Sequence, residues 1–104
     1  MPTKRTTSAK KSLSIAKLRP VVLRVAREHG ARNVRIFGSF ARGEQRKTSD
    51  VDLLVTMPKE SSLLDLAGLK VDLEEALKRR VDVIPDDSIK PILRDRILSE
   101  ARTL

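Results

Sequence analysis

The chain has 104 residues, of which 39% are hydrophobic and 35% charged, so it is long enough for one soluble domain and too short for two. It contains no cysteine, which excludes disulfides and thiolate zinc sites, and no apolar run approaches the ~20 residues of a membrane span. The absence of cysteine fits a reducing compartment, and we expect a cytoplasmic protein. Two phenylalanines are the whole aromatic content, too few for the base-stacking surface of a single-strand RNA binder.

The formal charge of +8 arises entirely within residues 1–27, which hold eight Lys or Arg and no acid. We predict a flexible basic arm over residues 1–11 and one domain over residues 12–104. Three interpretations of the arm stay open: a solvated tail, an attachment point for RNA or an acidic protein, and an organellar targeting segment.

Hydrophobic periodicity predicts the first helix of the domain. Apolar residues recur at helical spacing at Ile15, Leu18, Val22 and Val25. Because proline is tolerated mainly in the first turn of a helix, Pro20 predicts a break, with one short helix near 12–18 and another from about 19. Gly30 is typical of the residue that ends a helix.

Three short apolar segments after Gly30 predict strands, at Asn33–Phe37, Val51–Thr56 and Val81–Ile84. Ser62 and Asp65 form a capping-box pattern at the start of a second long helix. The apolar face expected for that helix consists of Leu63, Leu66, Leu69, Leu73, Ala76 and Leu77.

A final helix is predicted after the third strand, capped by Asp87 or Ser88 and with Pro91 in its first turn. Its expected buried stripe is Ile89, Leu93 and Ile97. Three strands combined with amphipathic helices predict an α+β fold, a small mixed β-sheet packed against helices.

Three aspartates in these strands carry the chemical signal. Side chains alternate along a strand, so Asp50 and Asp52 share one face, separated by about 6.5 to 7 Å, from which both can reach the same cations. Asp82 lies between Val81 and Val83 and is expected to point to that face as well. Two-metal phosphoryl transfer needs such carboxylates, with ions about 3.5–4 Å apart. Oxygen ligands favour Mg²⁺ or Mn²⁺. Asp82 could ligate the metal that activates an acceptor hydroxyl, or it could take the proton of that hydroxyl.

Gly38 and Ser39 follow the first strand and open a further short helix. A glycine lets a phosphate approach the backbone closely, and free N–H groups and the Ser39 hydroxyl can donate to it. A Gly-Ser pair is common in turns, so its value comes from the Asp pair that follows. Arg42 could contact phosphate or be a solvated surface residue.

The run GSFARG followed by SDVDLLV, with ten residues between Gly38-Ser39 and the Asp50–Asp52 triplet, resembles the minimal nucleotidyltransferase family of the DNA polymerase β-like superfamily. The similarity extends over roughly residues 15–100. Members of this family often pair with a HEPN-domain partner as a toxin–antitoxin module, and antitoxins of this type add AMP to a tyrosine hydroxyl of the HEPN RNase.

The resemblance implies the nucleotidyltransferase fold and nucleotidyl transfer from ATP with Mg²⁺. It implies that Gly38 and Ser39 hold the triphosphate, that Asp50 and Asp52 are metal ligands and that Asp82 is the third carboxylate. The chain contains no tyrosine, so a tyrosine acceptor has to lie on another chain, which we expect to be a HEPN toxin in a hetero-oligomer.

Two alternatives remain beside this enzyme. One is an antitoxin that keeps the fold and neutralises its toxin by binding alone; a third carboxylate at Asp82 argues against it, because a scaffold has no need of three. The other is a module that binds nucleic acid through the basic arm, against which the low aromatic content counts.

Overall fold

The computed structural model describes residues 14–46 and 48–104, and the predicted basic arm over residues 1–11 lies outside them. The described part of the chain forms four helices and four strands. In chain order these are α1 (Ile15–Glu28), β1 (Arg32–Phe37), α2 (Ser39–Arg42), β2 (Val51–Thr56), α3 (Leu63–Leu77), β3 (Val81–Pro85), α4 (Pro91–Glu100) and β4 (Arg102–Thr103). Within the same residues, no helix combines the length and the apolar character that crossing a membrane requires.

The strands form one sheet in the order β3-β2-β1-β4. β1 is antiparallel to both β2 and β4, whereas β2 and β3 are parallel, and α3 makes the crossover that a parallel pair requires. The predicted α+β class with a small mixed sheet is therefore confirmed. The two-residue strand β4 was not predicted, because it is too short to show a hydrophobic period.

The two faces of the sheet differ in how well they are covered. One face carries the main core, where Val51, Leu53 and Val55 of β2 pack under α1 and α3. The opposite face carries a smaller cluster built on Leu54, Ile89 and Ile97. The even-numbered residues of β2, Asp52 among them, therefore point to the thinly covered face. Asp50 directly precedes the strand.

The first helix does not break at Pro20. α1 runs continuously over Ile15–Glu28, with Ser14 capping it through a hydrogen bond from the Lys17 N–H, so the predicted break is wrong. Proline removes the donor that would bond to the carbonyl of Ala16. Both residues lie on the exposed side of the helix, where water can hydrate that carbonyl.

The buried stripe of α3 is narrower than predicted. Leu69, Leu73 and Leu77 are buried at four-residue spacing, whereas Leu63 is 85% exposed and Ala76 is also exposed. The capping box of Ser62 and Asp65 is formed as predicted. Only one line of residues along this helix faces α1 and the sheet. The broad apolar face predicted from the sequence therefore includes residues that are exposed.

The predicted start and stripe of the last helix are also corrected. The N-cap of α4 is Lys90 with Pro91 following, and Ser88 instead closes the turn after β3 by donating to the Pro85 carbonyl. Ile89 and Ile97 are buried, but Leu93 is 41% exposed, because it faces an open cavity rather than a packed core.

Candidate active site

The sheet brings the three predicted aspartates together. In the parallel pairing of β2 and β3, Asp52 lies directly beside Asp82. Neighbouring strands are about 4.8 Å apart, so these two carboxylates lie close together on the same face. Asp50 is two residues earlier on that face. All three line a single cavity of about 660 Å³. The alternation of side chains along each strand and the register between β2 and β3 bring these carboxylates together.

Asp52 is the carboxylate most affected by its surroundings. It is half-buried, and burial raises its pKa to about 6, with further contributions from the negative charge of Asp82, a hydrogen bond to Asp82 and the charge of Asp50. The positive charge of Arg42 acts in the opposite direction but is a smaller effect. Burial and the neighbouring carboxylates of Asp82 and Asp50 therefore oppose the ionisation of Asp52.

Gly38 lies against the Asp52 side chain. The residue before it, Phe37, pairs with Asp52 across β1 and β2, and Gly38 has φ 75° and ψ −150°, a combination essentially restricted to glycine. A Cβ at this position would clash with Oδ2 of Asp52 and lie 3.1 Å from its Cγ. The glycine therefore allows the Asp52 carboxylate to sit directly over the backbone where β1 ends.

The short helix α2 supplies Ser39 and Arg42 to the cavity wall. Arg42 donates from Nε to Glu44, 2.9 Å away, and from Nη1 to both carboxylate oxygens of Glu100, 3.3 Å away. All six predicted site residues therefore line one cavity. Their co-location agrees with the prediction, whereas their chemical roles remain predictions.

The structure adds residues to this cavity that the sequence did not predict. They come from β1, the loop before β2, α3, β3 and α4, and comprise Phe37, Ser49, Lys70, Val83, Ile84, Leu93, Arg96, Ile97 and Glu100. The residues of α4 have no distinguishing pattern in the sequence, and only the path of the chain returns them to the face that carries the aspartates. The single available signal was the i,i+4 spacing of Arg96 and Glu100, which is common on solvated helices.

The loop that leads into β2 is held by Arg79. Its Nη1 donates to the Ser49 carbonyl at 3.2 Å, and its guanidinium lies 5.7 Å from the centre of the Phe40 ring. Ser49 also closes the loop on itself, since its Oγ accepts from the Arg46 N–H at 2.7 Å. Asp50 therefore follows an anchored residue, linked through Arg79 to the buried ring of α2.

The donor set is suited to a hard divalent cation. Among the described residues, no three Asp, Glu, His or Cys side chains have the arrangement of a preformed metal site. Mg²⁺, however, is usually held by one or two carboxylates together with the phosphates of a nucleotide, not by a complete protein cage. Asp50 and Asp52 offer two such carboxylates. The pKa of Asp52 is raised first by burial and then by the neighbouring carboxylates, so a cation would stabilise its ionised form.

Comparisons with known proteins agree with this geometry. The nucleotidyltransferase domain family matches residues 18–104. A Methanocaldococcus jannaschii protein, provisionally named a protein adenylyltransferase, is 46% identical over 89 residues, covering 86% of this chain and 96% of the relative. The protein adenylyltransferase MntA of Thermococcus cleftensis is 39% identical over 71 residues, covering 68% of this chain and 72% of the relative.

Solved structures share the same fold. One, provisionally described as a minimal nucleotidyltransferase, has a TM-score of 0.76 at 44% identity and covers 88% of this chain and 97% of its own. A toxin–antitoxin complex with AMP-PNP has a TM-score of 0.70 at 21% identity, covering 79% of this chain and 68% of its own. At that identity the second likeness concerns the fold alone.

Proposed function

Because this chain belongs to the nucleotidyltransferase domain family, as its motifs predicted, we propose that it is a Mg²⁺-dependent protein adenylyltransferase and an antitoxin. In this proposal it transfers AMP from ATP to a tyrosine hydroxyl of a partner HEPN RNase and so inactivates the toxin. The observation that carries the proposal is the convergence of Asp50, Asp52 and Asp82 beside Gly38 in one cavity. The names of the curated relatives, protein adenylyltransferases, support a protein as the acceptor.

Asp50 and Asp52 would hold Mg²⁺, two ions in the expected arrangement, with Mn²⁺ as an alternative. When bound, these ions neutralise charge on the phosphates and increase the acidity of the acceptor hydroxyl. Asp82 is exposed, so it can receive the proton of the tyrosine hydroxyl and pass it to water. The tyrosine oxygen then bonds to the α-phosphorus while the bond to pyrophosphate breaks.

Gly38, Ser39 and Arg42 would hold the triphosphate. The absence of a side chain at Gly38 lets a phosphate reach the backbone, the Ser39 hydroxyl is a further donor, and Arg42 supplies positive charge. The cavity of about 660 Å³ lies within the ~300–1,000 Å³ typical of small-molecule sites. These residues bind and orient ATP at the carboxylates.

The acceptor has to be another molecule, because this chain contains no tyrosine. The cavity is open along α4, where Leu93 and Arg96 form part of its wall and remain exposed. A partner side chain can therefore reach Asp82 from that side, and a hetero-oligomer with the toxin is the expected assembly. An antitoxin that acts by binding alone would use the same surface without needing the acidic pair.

The test is transfer of labelled AMP to a HEPN RNase encoded beside the gene. We expect Mg²⁺-dependent label on a partner tyrosine, located by mass spectrometry, and a loss of at least about 100-fold in rate for Asp52→Asn. Asp95→Asn, which removes the same charge from an exposed residue outside the cavity, is the matched control and should retain transfer. Equal labelling by wild type and Asp52→Asn would refute the catalytic proposal, whereas toxin neutralisation without any label would favour the binding-only antitoxin.

A further inference from the structure

The side chain of Glu100 lies where an anionic ligand of the cavity would bind. Glu100 is the last residue of α4 and lines the same cavity as the three aspartates. Its carboxylate is 3.3 Å from Nη1 of Arg42 and 3.5 Å from Nε of Arg96, and the nearby Gly38 N–H helps to stabilise its charge. One carboxylate thus faces a backbone N–H and two guanidinium groups.

The charges around Glu100 stabilise its ionised form. Burial of the side chain disfavours the carboxylate, but Arg42, the Gly38 N–H and Arg96 outweigh it and lower the pKa of Glu100. Glu100 is therefore a permanent anion at neutral pH. Only 21% of its side chain is exposed, although it belongs to a helix whose other residues are mostly exposed.

The backbone that carries Glu100 is fixed on both sides. The Ala101 N–H bonds to the Ile97 carbonyl, and Arg102 pairs with Ile36 of β1 in the sheet. Glu100 can therefore leave the donors only by rotating its side chain, not by movement of α4. Such a rotation is fast and local, so the carboxylate can leave these donors without a change in the backbone.

We propose that Glu100 is an internal competitor of the nucleotide, a carboxylate that occupies the phosphate donors Gly38, Arg42 and Arg96 until the triphosphate displaces it. This inference rests on the proposed function, since it takes the cavity to be the triphosphate site. It also assigns Arg96, on α4, as a further phosphate contact beside Gly38, Ser39 and Arg42. A phosphate and the Glu100 carboxylate cannot share these donors, because the two anions repel each other and need the same N–H groups.

With such competition, the apparent affinity for the nucleotide is the intrinsic affinity multiplied by the fraction of molecules in which Glu100 does not occupy the donors. Glu100→Gln keeps the size of the side chain and removes its charge, so it should bind Mg²⁺-ATP about three- to tenfold more tightly than wild type. The same gain is expected for inorganic tripolyphosphate, which has no base or sugar. Adenosine, which has no phosphate, should bind both proteins equally.

The experiment is calorimetric titration of wild type, Glu100→Gln and Asp95→Asn with tripolyphosphate, Mg²⁺-ATP and adenosine at one ionic strength. Asp95 is on the same helix but outside the cavity, so its variant measures the general effect of one lost charge, which we expect to be less than about twofold. Thermal melts confirm that each variant is folded.

Three outcomes overturn the proposal. Glu100→Gln could bind phosphate no better than wild type, which would mean that the carboxylate does not compete. Asp95→Asn could gain as much as Glu100→Gln, which would assign the effect to net charge alone. If neither wild type nor Glu100→Gln bound Mg²⁺-ATP, both the role of Glu100 and the proposed nucleotide site would be refuted. If both proteins bound Mg²⁺-ATP equally well, only the role of Glu100 would be refuted.

Discussion

Replacing Gly38 by alanine tests the link between the backbone where β1 ends and the acidic pair. The dihedral angles of Gly38 are essentially reserved for glycine, so the new side chain costs about 1–3 kcal/mol in backbone strain. Its Cβ would also clash with the Asp52 carboxylate, and moving that side chain off its rotamer adds about 1 kcal/mol. We therefore expect Gly38→Ala to reduce the free energy of unfolding by about 2–4 kcal/mol.

The effect on function should exceed the effect on folding. A protein with ordinary stability of about 5–15 kcal/mol remains folded after such a loss, but Asp52 would no longer lie where Gly38 now allows it. Misplacement of a reacting group by about 1 Å can reduce the rate about 100-fold. Urea unfolding gives the stability, and AMP transfer to the partner, measured well below the melting temperature, gives the activity.

Gly43→Ala is the matched control, because Gly43 also has a positive φ of 73° but would place its Cβ in open space. It should lose about 1–2 kcal/mol of stability, the cost of a left-handed non-glycine residue, and keep its transfer activity. The reasoning fails if Gly38→Ala transfers AMP as fast as Gly43→Ala, or if both lose activity equally.

Three further outcomes are expected. Ser62→Ala removes the cap whose Oγ accepts the Asp65 N–H and should lower the unfolding free energy by about 1 kcal/mol, as measured by urea denaturation; no loss would mean that the cap is not formed in solution. Leu54→Ala, at the fully buried centre of the small cluster, should cost about 2–5 kcal/mol, and a value under 1 kcal/mol would contradict the packing of α4 on the sheet. Asp82→Asn should abolish AMP transfer while calorimetry still detects binding of the partner, and retained transfer would exclude Asp82 from the reaction.

The sequence predicted the elements whose pattern is local. Alternation along β2 correctly assigned Asp52 to the face opposite Val51 and Leu53, and Ser62 with Asp65 was sufficient to place the start of α3. These features depend on neighbours two to four residues away, which is the range that a sequence pattern reports.

The features that the sequence did not predict depend on tertiary context. The exposure of Leu93 follows from the cavity beneath α4, and the continuity of α1 through Pro20 follows from which side of the helix faces solvent. The placement of Arg96 and Glu100 at the site requires α4 to return across the sheet, which no local pattern encodes. Sequence reasoning therefore located the three aspartates and missed the basic residues Lys70 and Arg96 and the acidic residue Glu100.

The aspartates of the cavity and the small hydrophobic cluster lie on the same face of the sheet. On β2, Asp52 and Leu54 are two residues apart on the same face, so the acidic pair begins where the small cluster of Leu54, Ile89 and Ile97 ends. Full coverage of that face by α4 would bury Asp52 more deeply and raise its pKa further. The exposed Leu93 and the sparse packing of α4 keep this cavity open, as the proposed binding of a nucleotide and a partner requires. The larger part of the buried core lies on the opposite face, under α1 and α3.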